Sequence, residues 1–504
     1  METQNPRIKL LKQDAEQRFL KPFRSHGWSA NIILEHDYHS SIEIEAVKAH
    51  RKVRIGLLYS SATENSHYRI LASSCERIFH SGSAYMLDSF AHGIDVPVES
   101  VEDFFPFLVS LNKEIDPDRT PKIFPSKPKK TRRITDENPL QAVVTRLIQF
   151  TSPKLAQRLV IRRAEEAGIF LREDQVKSKA AGVAFAMRNG LDYFDGLPSS
   201  KLNKRILGLY YGTIAFASAE MLALPNGVVD LDEVEGMTKQ GHGLYTVSGI
   251  NRGFGDLQVG VLATGFLPNW ITTLGYDITD YPRRKPKALS DVEKQPAGMC
   301  VSLEKLFASI PEIEDLYAEV FEGGSRWVIP VYSSADNHRF GFDQPNQPTS
   351  STYAHFIDYS KTLTKNDLEQ GGWPLAEISR EESQESKYKG RVFRARVDHT
   401  GFDLWWNVLP THTSPFKNRT TLLLPTVGGL RDYRVIAAVI LYALSIMVRY
   451  MPSAWRRIEG GDEDQFLALV NASLSAWERV LPEQFLESIA GEGVQTGQPG
   501  GLFG

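Results

Sequence analysis

The stretch KQGHGL places one histidine, His242, between two glycines. Glycine on both sides leaves the backbone free to adopt conformations that other residues disfavour, so a tight turn can present the imidazole. The apolar stretch that precedes it, LGLYYGTIAFASAEMLAL, carries Tyr210, Tyr211 and Glu220. We expect these side chains to form a binding site in which His242 contacts a phosphate or a base. His242 is also the candidate for catalysis, although no catalytic set is evident.

A structural role is the alternative for the same residues. His242 would then fix the turn through a hydrogen bond to a buried partner, and Glu220 is one candidate for that partner. Glu220 must be unionised or paired if it is buried, because an isolated buried carboxylate is costly. For Glu220 we favour a structural hydrogen bond over catalysis.

The segment 206–224 predicts the helix that positions these residues. Its only clearly polar side chains are Thr213, Ser218 and Glu220, and a helix that is apolar on all sides belongs in the middle of a bundle. Small residues form one stripe along it, which lets a neighbouring backbone approach closely: Gly208, Gly212, Ala215, Ala219 and Ala223. We therefore expect this helix to be the hub of an α-helical domain.

The remaining pattern predicts a mainly α fold with small β insertions. Apolar residues at three- and four-residue spacing favour helices over most of 41–111. Further helices are expected at 140–150, 152–168, 302–321 with a break at Pro311, 435–448 and 463–489, and strands at 326–334 and 390–397. The glycine-rich alternation of 244–266 is typical of a β-hairpin.

Six segments follow from these elements. Residues 1–114 form a mostly helical N-terminal domain, and the proline- and lysine-rich stretch 115–139 is a linker. A helical core over 140–325 contains the hairpin. The core is interrupted by a mixed strand and loop insertion at 326–420, completed by helices at 421–490 and followed by a disordered tail at 491–504.

Composition narrows the class of protein. The 504 residues carry a net charge of -3, which argues against a generally basic nucleic-acid-binding protein. Two cysteines give no disulfide framework and fit a reducing cytoplasm. The polar N-terminus does not resemble a signal peptide. The two apolar stretches at 206–224 and 435–448 are interpreted as buried core helices, so we expect a cytoplasmic protein without a membrane partner.

The chain resembles the YaaC-like family over about residues 140–490. The resemblance lies in several motifs that occur in the family's order: TSPKLAQRL, YYGTIAFASA, GHGL, ATGFLPNW, ASIPEIEDLY and LYALSIMVRYMPSAW. The family is an uncharacterised one, so the resemblance implies a fold and no particular chemistry.

A weaker resemblance is to HEPN helical domains, which include ribonucleases. It rests on the Tyr-Tyr helix before a histidine and on SHYRILASSCERIF near the N-terminus. Ribonucleases of this type pair an arginine with a histidine a few residues later, and Arg394 with His399 fits that spacing. On a strand, however, the two side chains point to opposite faces, so we do not expect them to act together.

Other chemistry has less support in the sequence. His36, Asp37 and His39 are residue types that bind divalent ions, but no motif such as HExxH supports a metal site, and we expect none. The Gly-x-Gly of NRGFGDLQVG lies in a predicted hairpin rather than between a strand and a helix, so no nucleotide cofactor is expected.

The linker carries the chain's most basic stretch. Four of its residues are candidates for holding a phosphate backbone: Lys129, Lys130, Arg132 and Arg133. A solvated charge run is the alternative.

Three hypotheses on function remain. The first is an atypical HEPN-like protein that binds a nucleotide, an RNA or a protein partner, including a second copy of itself, and that is not an enzyme. The second is a ribonuclease, such as a toxin-like or phage-defence effector, in which His242 acts with an arginine distant in the sequence. The third is a scaffold subunit that docks through 335–390.

Overall fold

The computed structural model describes residues 5–48, 51–82, 84–105, 107–108, 111, 130–248, 253–286, 288–339, 350–400, 402, 404–416 and 420–497. The chain divides into two units, Met1–Lys122 and Ile123–Gly504. The division falls inside the predicted linker, of which residues 115–129 lie outside the described part.

The N-terminal unit is built on a five-stranded sheet. Its elements in chain order are α1 (Pro6–Ala15), α2 (Lys21–Ser25), β1 (Ser29–His36), β2 (Ser41–Lys48), β3 (Arg51–Leu58), α3 (Asn65–Ser74), β4 (Arg77–His80), α4 (Leu87–Phe90) and β5 (Val98–Ser100). The strands lie in the order β1-β2-β3-β4-β5. The first three run antiparallel, whereas β4 is parallel to β3 and β5 is parallel to β4.

The prediction of a mostly helical N-terminal domain is wrong. Ile42, Ile44 and Ala46 are buried on one face of β2, while the side chains between them belong to the other face. This is the two-residue period of a strand. Together with the apolar residues of the following β3, it gives a spacing that was interpreted as helical. Only Asn65–Ser74 of the predicted helical stretch forms a helix of more than two turns among its described residues.

The second unit contains the long helices. They are α5 (Pro139–Ile148), α6 (Pro153–Glu166), α7 (Glu173–Phe194), α8 (Leu202–Ala223), α9 (Leu231–Lys239), α10 (Phe266–Thr273), α11 (Leu289–Val292), α12 (Leu303–Phe307), α13 (Glu314–Phe321), α14 (Ser334–Arg339), α15 (Lys365–Glu369), α16 (Glu382–Tyr388), α17 (Tyr433–Tyr450), α18 (Pro452–Gly460) and α19 (Gln465–Ala490). The break predicted at Pro311 is confirmed, since a short 3₁₀ turn separates α12 from α13 there.

Three sheets accompany these helices. Their strands are β6 (Thr131–Thr135), β7 (Leu244–Val247), β8 (Gln258–Val261), β9 (Cys300–Ser302), β10 (Trp327–Tyr332), β11 (Ser351–Asp358), β12 (Leu375–Arg380), β13 (Arg391–Asp398), β14 (Thr411–His412), β15 (Thr421–Leu423) and β16 (Gly493–Gly497). One sheet has the order β12-β13-β11-β10-β15-β14, a second β7-β8-β9, and the third pairs β16 with β6.

The fold class is therefore α/β, and the prediction of a mainly α, HEPN-like bundle is wrong. The protein is 51% helical and 19% strand, with four open sheets of five, six, three and two strands. The six-stranded sheet provides much of the strand content that the prediction lacked. Its strand β11 is buried along nearly its whole length, so it lacks the alternation of apolar and polar residues by which a half-buried strand is recognised.

The predicted linker and tail contain paired strands. Residues 131–135 of the linker form β6, which pairs in parallel with β16 from the stretch predicted as a disordered tail. Glu492, which is buried, accepts hydrogen bonds from Arg132 and Arg162 and so ties the two segments to α6. The sequence gives no sign of this pairing, because its partners are separated by more than 350 residues.

The hub helix is confirmed as α8, which packs against α7, α17 and α19. Its glycines lie against the end of α7. A Cβ atom at Gly208 would lie 2.5 Å from Leu197 Cδ2 and 3.0 Å from the carbonyl oxygen of Tyr193, and one at Gly212 would lie 2.6 Å from the Phe194 ring. The small stripe therefore permits a helix contact that any larger residue would obstruct.

A buried lysine caps the carboxyl end of α8. Lys179 of α7 is 1% exposed, and its ammonium donates hydrogen bonds to the carbonyls of Leu222, Leu224, Gly227 and Val228 at 2.7–3.4 Å. The last carbonyls of a helix lack partners within the helix, and a cation is favoured at that end of the dipole. Lys179 thus donates the hydrogen bonds that water would otherwise give to the carbonyls at this buried terminus.

Two described helices are long and apolar enough to cross a membrane, judged by length and composition alone. They are α8 and α17, and 78% of the most apolar window of each is buried in the protein. Burial of this extent is typical of core helices.

We expect the glycine edge of α8 to respond to substitution in the opposite sense from an exposed helical glycine. Replacing Gly208 and Gly212 together by alanine should lower the free energy of unfolding by roughly 1–3 kcal/mol, because overpacking at the α7 contact outweighs the gain in helix propensity. Chemical denaturation measures this change.

Gly236 of α9 is the matched control, since nothing lies within 4 Å of a Cβ atom there. Gly236→Ala should raise the free energy of unfolding by about 0.5–1 kcal/mol. A stabilised double variant would show that the small stripe is not needed for the packing.

Candidate functional site

Three glycines with positive φ hold His242 in place. Gly241, Gly243 and Gly265 have φ values of 104°, 74° and 110°, which disfavour residues with a side chain. A Cβ atom at Gly265 would lie 2.5 Å from the amide nitrogen of Gly243. The turn that contains Gly241 and Gly243 is joined to the segment after Gly265 by a hydrogen bond of 3.1 Å from the Leu267 amide to the carbonyl of His242. The turn therefore needs these glycines to bring its histidine close to α10.

His242 is hydrogen-bonded to the hub helix. Its Nδ1 lies 2.8 Å from the hydroxyl of Tyr210, a residue that is 0% exposed. That hydroxyl has no other acceptor among the described residues, and a buried O–H without an acceptor is costly. Tyr210 therefore donates to Nδ1, and neutral His242 carries its own proton on Nε2, which has no partner in the described part of the chain.

Arg449, at the end of α17, is the charged residue of the site. Its Nε donates to the carbonyl of Ser445 and its Nη2 to the Ser445 hydroxyl, both at 3.1 Å. Its Nη1 donates to the hydroxyl of Tyr211 at 3.1 Å. No carboxylate pairs with Arg449 among the residues that the structure describes.

The electrostatics follow from this arrangement. Burial lowers the pKa of His242, and the nearby Arg449 guanidinium lowers it further. His242 is therefore neutral at pH 7, and the positive charge of the site is that of Arg449. Burial raises the pKa of Tyr210 far above its usual range, so that its hydroxyl keeps its proton.

Aromatic rings enclose the histidine. The Tyr442 ring lies 5.6 Å from the His242 ring and 6.0 Å from the Tyr210 ring, and its hydroxyl donates to the carbonyl of Leu244. We call Tyr210, Tyr211, His242, Tyr442 and Arg449 the His242 site. Its free groups are hydrogen-bond donors beside one unneutralised cation, which suits an anion.

Glu220, predicted to belong to this site, lies in a separate buried network. Its carboxylate accepts hydrogen bonds from Trp270 Nε1 at 2.8 Å, from Arg434 Nη1 at 2.6 Å and from the Ser488 hydroxyl. Both oxygens are occupied, so Glu220 has a structural role. The partner of His242 is Tyr210, and the suggestion that Glu220 fixes the histidine is wrong.

The basic linker residues differ in their surroundings. Lys129 lies outside it, and Lys130 and Arg133 are exposed. Arg132 is paired with Glu492 at 3.0 Å, so its charge is neutralised within the fold. The structure gives no support to a phosphate-binding role for Arg132.

Arg394 and His399 have separate partners. Arg394 Nε lies 3.0 Å from Asp336 Oδ1, whereas His399 shares a hydrogen bond of 2.9 Å with the Thr352 hydroxyl. The expectation that they do not act together agrees with these contacts.

The predicted pair of histidines near the N-terminus, His36 and His39, lies beside a third histidine, His67, that was not predicted to belong with them. His36 Nε2 lies 3.1 Å from Glu43 Oε1, and the His39 ring stacks on that of His67 at 4.0 Å. No group of three potential ligands that could hold a metal occurs among the described residues. Their arrangement is a polar cluster in which Glu43 of β2 and His67 of α3 are buried, while His36 at the end of β1 and His39 in the following turn are half-buried.

Sequence reasoning missed Arg449 and Tyr442. Both lie on the second apolar helix, within the stretch LYALSIMVRYMPSAW that carries the family resemblance. The signal was the spacing of Tyr442, Ser445 and Arg449, which are three and four residues apart and so share one helix face. That face is the polar one of an otherwise apolar helix.

Comparison with known proteins identifies one family. The model of the family described as YaaC-like Protein matches residues 148–489, more than half of the chain, and confirms the resemblance to that family. No curated protein and no solved structure matches. Nothing in these comparisons supports the HEPN-like resemblance.

The histidine cluster of the N-terminal unit should make that unit sensitive to acid. Burial lowers the pKa of His67 to about 4, with further contributions from His39 and His36. The unfolded chain therefore binds more protons than the folded chain between pH 6.5 and 4. Stability should be fully present above that window and fall by roughly 2–3 kcal/mol across it.

Hydrogen exchange of the 36–45 and 65–75 segments in the full chain measures this loss. In His67→Gln, which cannot titrate at this position, the pH dependence of protection should flatten. An unchanged pH dependence in the variant would assign the effect to other groups.

Proposed function

This chain belongs to the YaaC-like family, and we propose that it binds a phosphate-bearing ligand, a nucleotide or an RNA strand, at the His242 site. The observation that carries the proposal is the half-buried guanidinium of Arg449, which has no carboxylate partner in the described part of the chain. A charge that is partly removed from water is stabilised further by a counter-charge, which the ligand would supply.

The remaining donors of Arg449 match a phosphate. A guanidinium has five N–H groups, and its contacts with Ser445 and Tyr211 use one on each of the three nitrogens. One N–H on each terminal nitrogen is left over. N–H groups on the two terminal nitrogens of a guanidinium can bind two phosphate oxygens together.

The neighbouring groups add hydrogen-bond donors and bring no negative charge. Nε2 of neutral His242 carries a proton, as argued from the Tyr210 contact. The Tyr211 hydroxyl accepts from Arg449 and keeps its own O–H to donate. Arg449, His242 and Tyr211 thus offer donors from three elements, which favours an anion over a cation or an apolar ligand.

The same tautomer argues for binding without cleavage. A ribonuclease that used His242 as a general base would need an unprotonated Nε2, but that nitrogen holds the proton as long as Tyr210 donates to Nδ1. A scaffold without a ligand, the other alternative, makes no use of the N–H groups that Arg449 leaves free of the contacts with Ser445 and Tyr211.

We expect Arg449→Gln to weaken the binding of a short oligoribonucleotide or of ATP about 10-fold or more, since charged hydrogen bonds contribute about 1.5–3 kcal/mol. His242→Ala, which removes one neutral donor, should cost about 2- to 10-fold. Calorimetric titration gives the affinities, and thermal unfolding checks that both variants are folded.

Arg158→Gln is the matched control, because Arg158 is an exposed arginine of α6 that forms no ion pair with any residue in the described part of the chain. It should bind as the wild type does. Absence of binding by the wild type, or equal binding by Arg449→Gln, contradicts the proposal.

A second measurement separates binding from catalysis. Wild-type protein and His242→Ala are incubated with total RNA between pH 5 and 8, and the products are resolved on denaturing gels. We expect no cleavage that depends on His242 at any pH, because its proton lies on Nε2. Cleavage lost in the variant would favour the ribonuclease over the binding protein.

A further inference from the structure

A cavity of about 520 Å³ lies next to Arg449 in the second unit. It is formed where α17 ends and α18 begins, against the two ends of the β7–β8 connection. Tyr450 lines it and is the residue that follows Arg449, whose guanidinium carbon is 5.0 Å from the Tyr450 ring centroid. Arg449 does not itself line the cavity, but it contacts Tyr450, which does, as well as Tyr211 of the His242 site.

The floor of the cavity is apolar and well buried. It includes Phe254, Leu257 and Met447, which are 1%, 4% and 2% exposed. Methionine adapts its shape to a flat ligand, and an apolar floor favours a ring system. An apolar part of a ligand can pack on this floor, whereas its phosphate cannot.

The lining also includes an exposed aromatic ring, Tyr450, and two arginines. Tyr450 is 67% exposed, and Arg456 is exposed with no ion pair recorded in the described residues. Arg457, in contrast, is held by Glu463 at 3.4 Å. Proteins bind single-stranded nucleic acid with exposed aromatic rings that stack on bases and with nearby cations that hold the backbone, and Tyr450 with Arg456 provides one of each.

We infer that this cavity is a nucleobase subsite and that the ligand of the His242 site is single-stranded nucleic acid. The inference rests on the proposed function, because Arg449 holds the phosphate that joins the two parts. The base stacks on Tyr450 above the floor formed by Phe254 and Met447, and Arg456 contacts the next phosphate. A duplex does not fit this scheme, since its bases are stacked on one another and paired.

The test compares a single strand with an abasic strand of equal charge, and also with a duplex and a mononucleotide. Calorimetric titration measures the affinities of wild-type protein for an adenosine octaribonucleotide, an abasic ribose-phosphate octamer of equal charge, the corresponding duplex, and AMP. The single strand should bind about 5- to 100-fold more tightly than the abasic octamer, the range that one stacked base contributes. AMP distinguishes a single nucleotide from a strand as the source of the base.

Variants assign the difference to Tyr450. Tyr450→Ala should abolish the preference for the strand with bases, Tyr450→Phe should keep it, and Arg456→Gln should reduce the salt dependence of strand binding by about one counterion. Phe170→Ala is the control, because Phe170 is 89% exposed and lies outside the cavity.

The outcomes separate the two proposals. Equal affinity of the wild type for the abasic octamer and the strand overturns the base subsite and leaves phosphate binding in place. A preference for the strand that survives in Tyr450→Ala also overturns it. Failure of the wild type to bind any of the ligands contradicts the proposed function, and the subsite with it.

Discussion

The burial of most of α8 from Ile206 to Ala223 is the constraint on which the rest of the second unit depends. Each polar group on the buried faces of such a helix must find a partner inside the protein, because a buried polar group without a hydrogen bond is costly. Thr213 and Ser218 bond to carbonyls one turn earlier in α8. Glu220 instead requires Trp270, Arg434 and Ser488, and the end of the helix requires Lys179. These partners come from α7, α10, α17 and α19, so the polar groups of one helix fix the positions of four others.

The His242 site is a consequence of the same constraint. Tyr210 faces the interior and needs an acceptor, which the glycine-flanked turn provides as Nδ1 of His242. Tyr211 is the next residue, about 100° further around the helix, and it reaches Arg449 at the open side. Arg449 is held at the carboxyl end of α17, where the helix dipole stabilises a cation and the Ser445 carbonyl accepts its Nε proton. The charge is therefore stabilised in part by the fold, and the remaining donors are left for a ligand.

The sequence predicted the parts of this arrangement that are local. The apolar stretches of α8 and α17, the helix break at Pro311 and the glycine-flanked His242 all depend on residues close together in the chain. The N-terminal sheet was missed because Ile42, Ile44 and Ala46 were interpreted with the wrong period. The pairing of β6 with β16 and the approach of Arg449 to Tyr211 join segments more than 200 residues apart, and no local pattern records such contacts. Glu220 was assigned to the site because it shares a helix with Tyr210, but it follows Tyr210 by ten positions, and the two side chains lie in different environments.

The link between Tyr210 and His242 also determines what kind of site this is. Rotating the imidazole to present an unprotonated nitrogen would leave the buried Tyr210 hydroxyl without an acceptor, at a cost of about 1–3 kcal/mol. The imidazole is therefore held in one orientation and one tautomer before any ligand arrives, and Ser445 and Tyr211 hold the guanidinium in the same way. A site whose donors are fixed in advance loses little conformational entropy on binding, which favours affinity. The same tautomer leaves His242 without the unprotonated Nε2 that a general base needs, which supports the proposal of phosphate binding over that of cleavage.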